Sequence, residues 1–317
     1  MRSLSIVMLL CCFVSIYSLD YYRDVVYDGS CEIRYINIDG IYSKVYIPDS
    51  DKKKLPFIIF SHGLGGNVEA AVYANRFWAL NGYVVVVPTH LGSDSSILKG
   101  IKNPVIKGLT FKNAASHENA VKRIKDIKKI IQYLKENGLE GIKPDIFGMS
   151  GHSFGAKTTF SVSGVRRSAL SKSEYISDIK SSIAFSPPPP DIEFFQGLLY
   201  RDVTIPMFHI TGTEDVGIIK PILPKERLIG FQKMNKNENY KLVFKGASHF
   251  IFSGRNQMPI DEKLIYKDIK IFTLAFWDMT LRDNQKAKKW LFDMLMEKRD
   301  EYEYGIRVKG KSLIDER

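Results

Sequence analysis

Six short apolar runs constrain this chain more than anything else in it: "PFIIFSHG" (56–63), "YVVVVPTH" (83–90), "PDIFGMSGHS" (144–153), "SSIAFSPPPP" (181–190), "IPMFHITGTED" (205–215) and "YKLVFKGASH" (240–249). Each is nearly continuous and stops at glycine, proline or a polar residue. Strands of this kind are buried on both faces, which requires a parallel sheet covered by helices on both sides. Helical patterns at 68–81 and 117–136 separate the earlier runs, and two more at 263–279 and 284–298 close the chain. In 117–136, Ala120, Val121, Ile124, Ile127, Ile131 and Leu134 fall at helical spacing, with the lysines on the opposite face. Strands alternating with helices predict a mostly parallel, doubly wound α/β sheet. Two alternating runs, 31–38 and 43–48, predict an antiparallel edge pair, and 92–113 reads as a long loop able to shape a site.

The chain has 317 residues, 44% of them hydrophobic, enough for one large α/β domain. Its start, "MRSLSIVMLLCCFVSIYSLDYY", has a positive residue, an apolar stretch over Leu4–Ile16 and a small residue at Ser18. This is the pattern of a signal peptide over 1–18, too short for a membrane span, followed by a single domain over 19–317. The expected location is secreted or periplasmic. Cys11 and Cys12 would leave with the leader, so Cys31 is the one cysteine kept, a half-buried strand residue without an internal disulfide partner. The formal charge of +11 is spread widely and accompanies no zinc-finger, helix-turn-helix or ribonucleoprotein pattern. The expectation is no nucleic-acid partner, with a basic surface suited to contact with anionic membranes.

Functional groups of an open parallel sheet gather beyond the carboxyl ends of its strands. The ends here carry "SHGLGG", "PTH", "GHSFG", "FSPP", "GTED" and "GASH". In "GHSFG" (151–155), glycines two before and two after Ser153 remove side chains where a strand must bend sharply into a helix. A serine hydroxyl becomes a nucleophile when an imidazole takes its proton and a carboxylate orients that imidazole. Of the six histidines, His249 follows the candidate acid in a short loop at a strand end. His117 is expected to open a surface helix, His209 to sit inside a strand, His152 to pack beside the turn, His62 to order its own loop and His90 to line the pocket. Glu214 and Asp215 are adjacent and point different ways, and "GTxD" after a strand favours Asp215. The N–H of Phe154, next after the nucleophile at a helix start, is an expected oxyanion donor. The second is Leu64 in the Gly-rich "HGLGG" (62–66).

Taken together, "FSHGLGG", "GYVVVVPTHLGSD", "GHSFG", "GTED" and "GASH" resemble the dienelactone-hydrolase-like branch of the α/β-hydrolases, and in particular the secreted platelet-activating-factor acetylhydrolases and their bacterial relatives. The resemblance runs over about residues 55–255. It implies an α/β-hydrolase fold with a mostly parallel eight-stranded sheet flanked by helices and a short lid or none. It implies Ser153 as nucleophile, Asp215 as acid, His249 as base, and Leu64 and Phe154 as oxyanion donors. Arg123 and Asp126 look structural in the helix before the serine turn. Dienelactone hydrolases use cysteine where this chain has serine, and Ala156 stands where the acetylhydrolases carry a second glycine.

The expected activity is a serine carboxylic-ester hydrolase acting through an acyl-enzyme on small or short-acyl esters. A phospholipase A2-like or lipase activity at membranes is the alternative, and a non-catalytic binding module is a third reading. Phe194, Phe195 and Leu198, in "PPPPDIEFFQGLLY" (187–200), are candidate pocket residues beside His90. The segment 217–231 is a further candidate wall or membrane contact. No metal-ligand spacing or GxxxxGK phosphate loop appears, so no cofactor or metal is expected.

Overall fold

Helices and strands follow one another as the apolar runs require. The coordinates are a computed structural model that describes residues 25–26, 28–191, 196–217, 221–255, 262–296, 302–308 and 311–315. The expected leader over 1–18, and Phe194 and Phe195, lie outside the described residues.

The strands are β1 (Cys31–Ile38), β2 (Ile41–Pro48), β3 (Lys54–Ser61), β4 (Val84–Pro88), β5 (Lys143–His152), β6 (Ile179–Phe185), β7 (Met207–Glu214), β8 (Glu238–Ser248), β9 (Tyr302–Val308) and β10 (Lys311–Asp315). They form one sheet in the order β1-β2-β4-β3-β5-β6-β7-β8-β9-β10. The six strands from β4 to β8 pair in parallel. β1 and β2 pair antiparallel at one edge, with Cys31 opposite Pro48. β1 to β8 make the expected eight-stranded, mostly parallel sheet, and a hairpin extends it to ten strands: β9 adds antiparallel to β8 and β10 folds back on β9. This hairpin alternates aromatic, charged and aliphatic residues, a pattern too polar to stand out beside the buried runs.

The helices are α1 (Val72–Leu80), α2 (Pro104–Ala114), α3 (His117–Asn137), α4 (Phe154–Val162), α5 (Gln196–Tyr200), α6 (Ile229–Lys233), α7 (Glu262–Leu281) and α8 (Gln285–Met296). Side chains alternate across the strands, so each face of the sheet has its own core. Ile58 and Phe60 join Trp78, Trp277 and Trp290 on one face. Phe57 and Ile59 join Ile127, Ile131, Ala156 and Phe160 on the other. α3 opens at His117, as expected, capped by Ser116 Oγ accepting from Asn119 N–H.

The segment 92–113, read as a loop, contains α2, capped by Asn103 with Pro104 in its first turn. Its apolar residues are not gathered on the buried side: Val105, Ile106 and Leu109 are all exposed, while Ala114 is buried. A helix that buries so little has no periodic signature to read. β3 has β4 on one side and β5 on the other, so strand order reverses between β3 and β5. That switch point is where an open α/β sheet leaves a crevice at its carboxyl edge.

Candidate active site

Ser153 follows β5 with φ 56° and ψ −114°, a left-handed backbone that a non-glycine residue adopts only under constraint. The constraint is visible in its neighbours. A β-carbon on Gly151 would stand 2.5 Å from the Gly155 carbonyl group, and one on Gly155 would stand 1.9 Å from the Ser61 carbonyl oxygen. The turn therefore packs backbone against backbone on the end of β3. Ser153 N–H donates to the Phe185 carbonyl at 2.9 Å, tying the turn to β6 as well.

Three segments distant in sequence meet at this turn. Ser153 Oγ lies 3.0 Å from His249 Nε2, and His249 Nδ1 lies 2.7 Å from Asp215 Oδ1. With Nδ1–H donating to the carboxylate, Nε2 is left as the acceptor for the serine proton. Asp215 is fully buried, while the adjacent Glu214 is exposed. Thr211 Oγ1 donates to Asp215 Oδ2 at 2.7 Å, and Arg227 Nε lies 2.8 Å from Oδ1. Burial alone would raise the Asp215 pKa. The His249 hydrogen bond and the Arg227 charge outweigh it and hold the carboxyl below its ordinary value. Arg227 also donates to the carbonyls of Asp215 and Ser186. It stands in "PILPKERLIGF", which the sequence offered as a pocket wall. The structure instead turns that arginine inward beneath the acid.

His152 packs beside the turn, as expected: its ring lies 4.7 Å from that of His249, and Nε2–H donates to the His249 carbonyl at 2.9 Å. Burial draws its pKa well down, so it is neutral. It fixes the main chain of His249 rather than taking part in the hydrogen-bonded line.

The N–H groups of Leu64 and Phe154 make no hydrogen bond among the described residues. Both sit at the mouth of the turn, Leu64 on the loop after β3 and Phe154 at the first position of α4. They are thus available to an external oxygen. The Leu64 loop is held from behind by Arg123, which is fully buried. Its Nη1 donates to the His62 carbonyl at 2.6 Å, its Nε to Ser93 Oγ at 2.9 Å, and its guanidinium carbon lies 4.6 Å from the centre of the Phe154 ring. Burial pushes its pKa down to about 9 against the pull of Asp126 and Asp94.

His90, expected on the pocket wall, is not there. It is fully buried, with Nε2 at 3.0 Å from Ser61 Oγ and Nδ1 at 2.8 Å from Asp126 Oδ2. Both ring nitrogens are taken, and its backbone N–H donates to His62 Nε2 at 3.2 Å. Burial pushes Asp126 up to about 6. Leu198 lies on α5 and is 40% exposed. His209 is buried inside β7, facing Asn239.

No protein-family model matches this chain, and no curated protein matches it. Its class therefore rests on the sheet topology and on the geometry just described.

Proposed function

We propose that this protein is a serine hydrolase of the α/β-hydrolase type that cleaves carboxylic esters. One observation carries the reading: a strained, half-buried serine at a strand-to-helix turn, in line with a histidine and a buried carboxylate. Ser153 Oγ attacks the ester carbonyl while His249 Nε2 takes its proton. Asp215 holds the imidazole in one tautomer and stabilises the cation that forms. The tetrahedral oxyanion is received by the free N–H groups of Leu64 and Phe154, the latter at the positive end of α4. His249 then gives the proton to the leaving alcohol, and water hydrolyses the acyl-enzyme by the same relay. The apolar leader fits export from the cytosol.

The test is covalent. A fluorophosphonate probe is expected to label the wild-type protein, with p-nitrophenyl acetate and butyrate turned over, and Ser153→Ala is expected to lose both. Equal labelling of the variant overturns the reading, and with it the preference for an enzyme over a binding module.

A second reading, hydrolysis of lipid esters at a membrane surface, is favoured by α2. This helix stands over Gly65 of the oxyanion loop through Phe111, and exposes Val105, Ile106 and Leu109 among Lys102, Lys107 and Lys112. Exposed apolar residues ringed by lysine suit an anionic interface. Rates on monomeric against micellar esters of one acyl length separate the two readings.

A further inference from the structure

A crevice of about 670 Å³ opens beside the oxyanion loop, within the size range of small-molecule sites. Gly65 and Gly66 form one wall, directly after Leu64, and Ser253, Gly254 and Arg255 form another, four residues beyond His249. Ser153 does not line it, so the crevice adjoins the reacting centre rather than containing it. Its walls are fixed to each other. Ala71 N–H, just before α1, donates to the Ser253 carbonyl at 3.0 Å, and the rings of Tyr73 and Tyr266 lie 4.1 Å apart.

Four charged residues line this space: Arg76, Arg255, Lys270 and Glu69. The one anion is committed elsewhere, since Glu69 accepts from Tyr35 Oη at 2.7 Å and from Lys44 Nζ at 2.5 Å. The three cations have no carboxylate within ion-pair distance among the described residues. They are held among rings and carbonyls instead. Arg76 donates to the Gly29 carbonyl, Lys270 lies 5.3 Å from the centre of the Phe77 ring, and Arg255 lies 5.7 Å from that of Phe250. The Phe250 ring in turn is 5.9 Å from His249. Burial and the nearby Arg76 charge lower the Lys270 pKa, with Asp28 pulling the other way from beyond ion-pair range. Three cations lining one crevice, with no carboxylate in ion-pair contact among the described residues, suit an anionic partner.

We infer that the crevice receives an oxyanionic group, phosphate or carboxylate, carried by the ester substrate. This rests on the ester-hydrolase reading and names the chemistry of its substrate. Two arginine forks and an ammonium suit the several oxygens of such a group. Its placement one loop away from the nucleophile means the charge is separated from the scissile carbonyl by a short arm.

Two matched pairs of substrates test this. One is a p-nitrophenyl ester whose acyl chain ends in carboxylate, set against its methyl-ended counterpart of equal length. The other is 1-acetylglycerol against its 3-phosphate. The first pair places the anion on the acyl side and the second on the leaving-group side. Wild type is expected to prefer the charged member of at least one pair. The double variant Arg255→Gln/Lys270→Gln is expected to lose about tenfold in kcat/KM on that member, and to keep its rate on the neutral one. Raising the ionic strength should shrink the preference in the same direction. Calorimetric titration of phenyl phosphate and benzoate into the Ser153→Ala protein needs no turnover. Binding that weakens in Ser153→Ala/Arg255→Gln/Lys270→Gln supports the crevice even if the hydrolase reading fails. No charge preference together with no anion binding overturns the inference, as does an equal loss on charged and neutral esters.

Discussion

Arg227 Nε lies 2.8 Å from Asp215 Oδ1, the same carboxylate oxygen that His249 Nδ1 reaches at 2.7 Å. Both residues of this pair are almost completely inaccessible to solvent. The arginine thus supplies the counter-charge that lets a buried carboxylate stay ionised before the histidine becomes a cation. Removing it leaves an uncompensated charge, which costs about 3 to 5 kcal/mol at a buried site. Because Asp215 is held below its ordinary value, its contribution is complete above the ordinary carboxylate range and disappears as pH falls through the lowered value. Arg227→Met is expected to move that loss to higher pH. Its kcat/KM profile should fall earlier on the acid side than wild type, and urea unfolding at pH 5 and pH 8 should show the larger deficit at pH 8, where the uncompensated carboxyl is fully ionised. An unshifted acid limb would show that Arg227 acts only as packing.

The two glycines flanking Ser153 differ in consequence from an ordinary helical glycine. A methyl group on Gly155 would meet the carbonyl oxygens of Ser61 and His62 at 1.9 and 2.8 Å, backbone atoms that cannot move aside separately. Gly155→Ala is expected to cost about 3 kcal/mol or more and to abolish the proposed esterase activity. Gly108, inside α2, has nothing within 4 Å of the same position. Gly108→Ala is expected to gain about 1 kcal/mol from helix propensity alone. Urea midpoints of the two variants check the contrast, and equal effects would show that the turn has slack the distances deny.

Much of this architecture is legible in the sequence because each central strand is buried on both faces and so reads as an unbroken apolar run. The glycines around Ser153 are legible for a related reason, since the bend tolerates no β-carbon. Asp215 could be chosen over Glu214 from its place at a strand end. What escaped the reading lies where burial and composition part company. α2 is helical but nearly all exposed, and the β9–β10 hairpin is a strand pair with polar composition. Arg227 is a charged residue that sequence places on the surface by default, yet the fold buries it to hold carbonyl and carboxylate oxygens. His90 was misplaced because the residue that captures it, Asp126, lies 36 positions away on α3.

Arg123 acts on the oxyanion loop through its donation to the His62 carbonyl, two residues before Leu64. Lysine keeps the charge but has no fork to span His62 and Ser93 together. Arg123→Lys is therefore expected to lower kcat roughly tenfold with little change in KM, since the loop meets the developing oxyanion more than the bound ester. A rise in KM with kcat unchanged would place the loop in binding instead.

Asp126 gives a separate pH signature. Burial raises its carboxyl to about 6 from 3.8. A raised folded-state value stabilises the protein below the ordinary carboxylate pKa, and that contribution is lost as pH rises through the folded value. Relative to Asp126→Asn, the wild type is expected to lose on the order of 2 kcal/mol between pH 4 and pH 7. Urea unfolding of both proteins across that window reads the difference, and parallel curves would mean the carboxyl titrates as it does in water.

Ser61, His90 and Asp126 make a second hydrogen-bonded line, at 3.0 and 2.8 Å, almost the spacing of Ser153, His249 and Asp215 at 3.0 and 2.7 Å. Distances alone do not separate them, but their surroundings do. Ser61 is fully buried on β3, whereas Ser153 is half-buried on a positive-φ turn that points its hydroxyl outward. The Ser61 oxygen already accepts from Arg123 Nη1 at 3.4 Å. Its line braces the oxyanion loop from the protein side, with no approach for a carbonyl carbon. A fluorophosphonate label mapped by peptide mass is therefore expected on Ser153 alone. Ser61→Ala should still be labelled, more slowly because the loop it supports is loosened. A label on the peptide containing Ser61, or an unlabelled Ser61→Ala beside a labelled Ser153→Ala, would reverse the roles of the two lines.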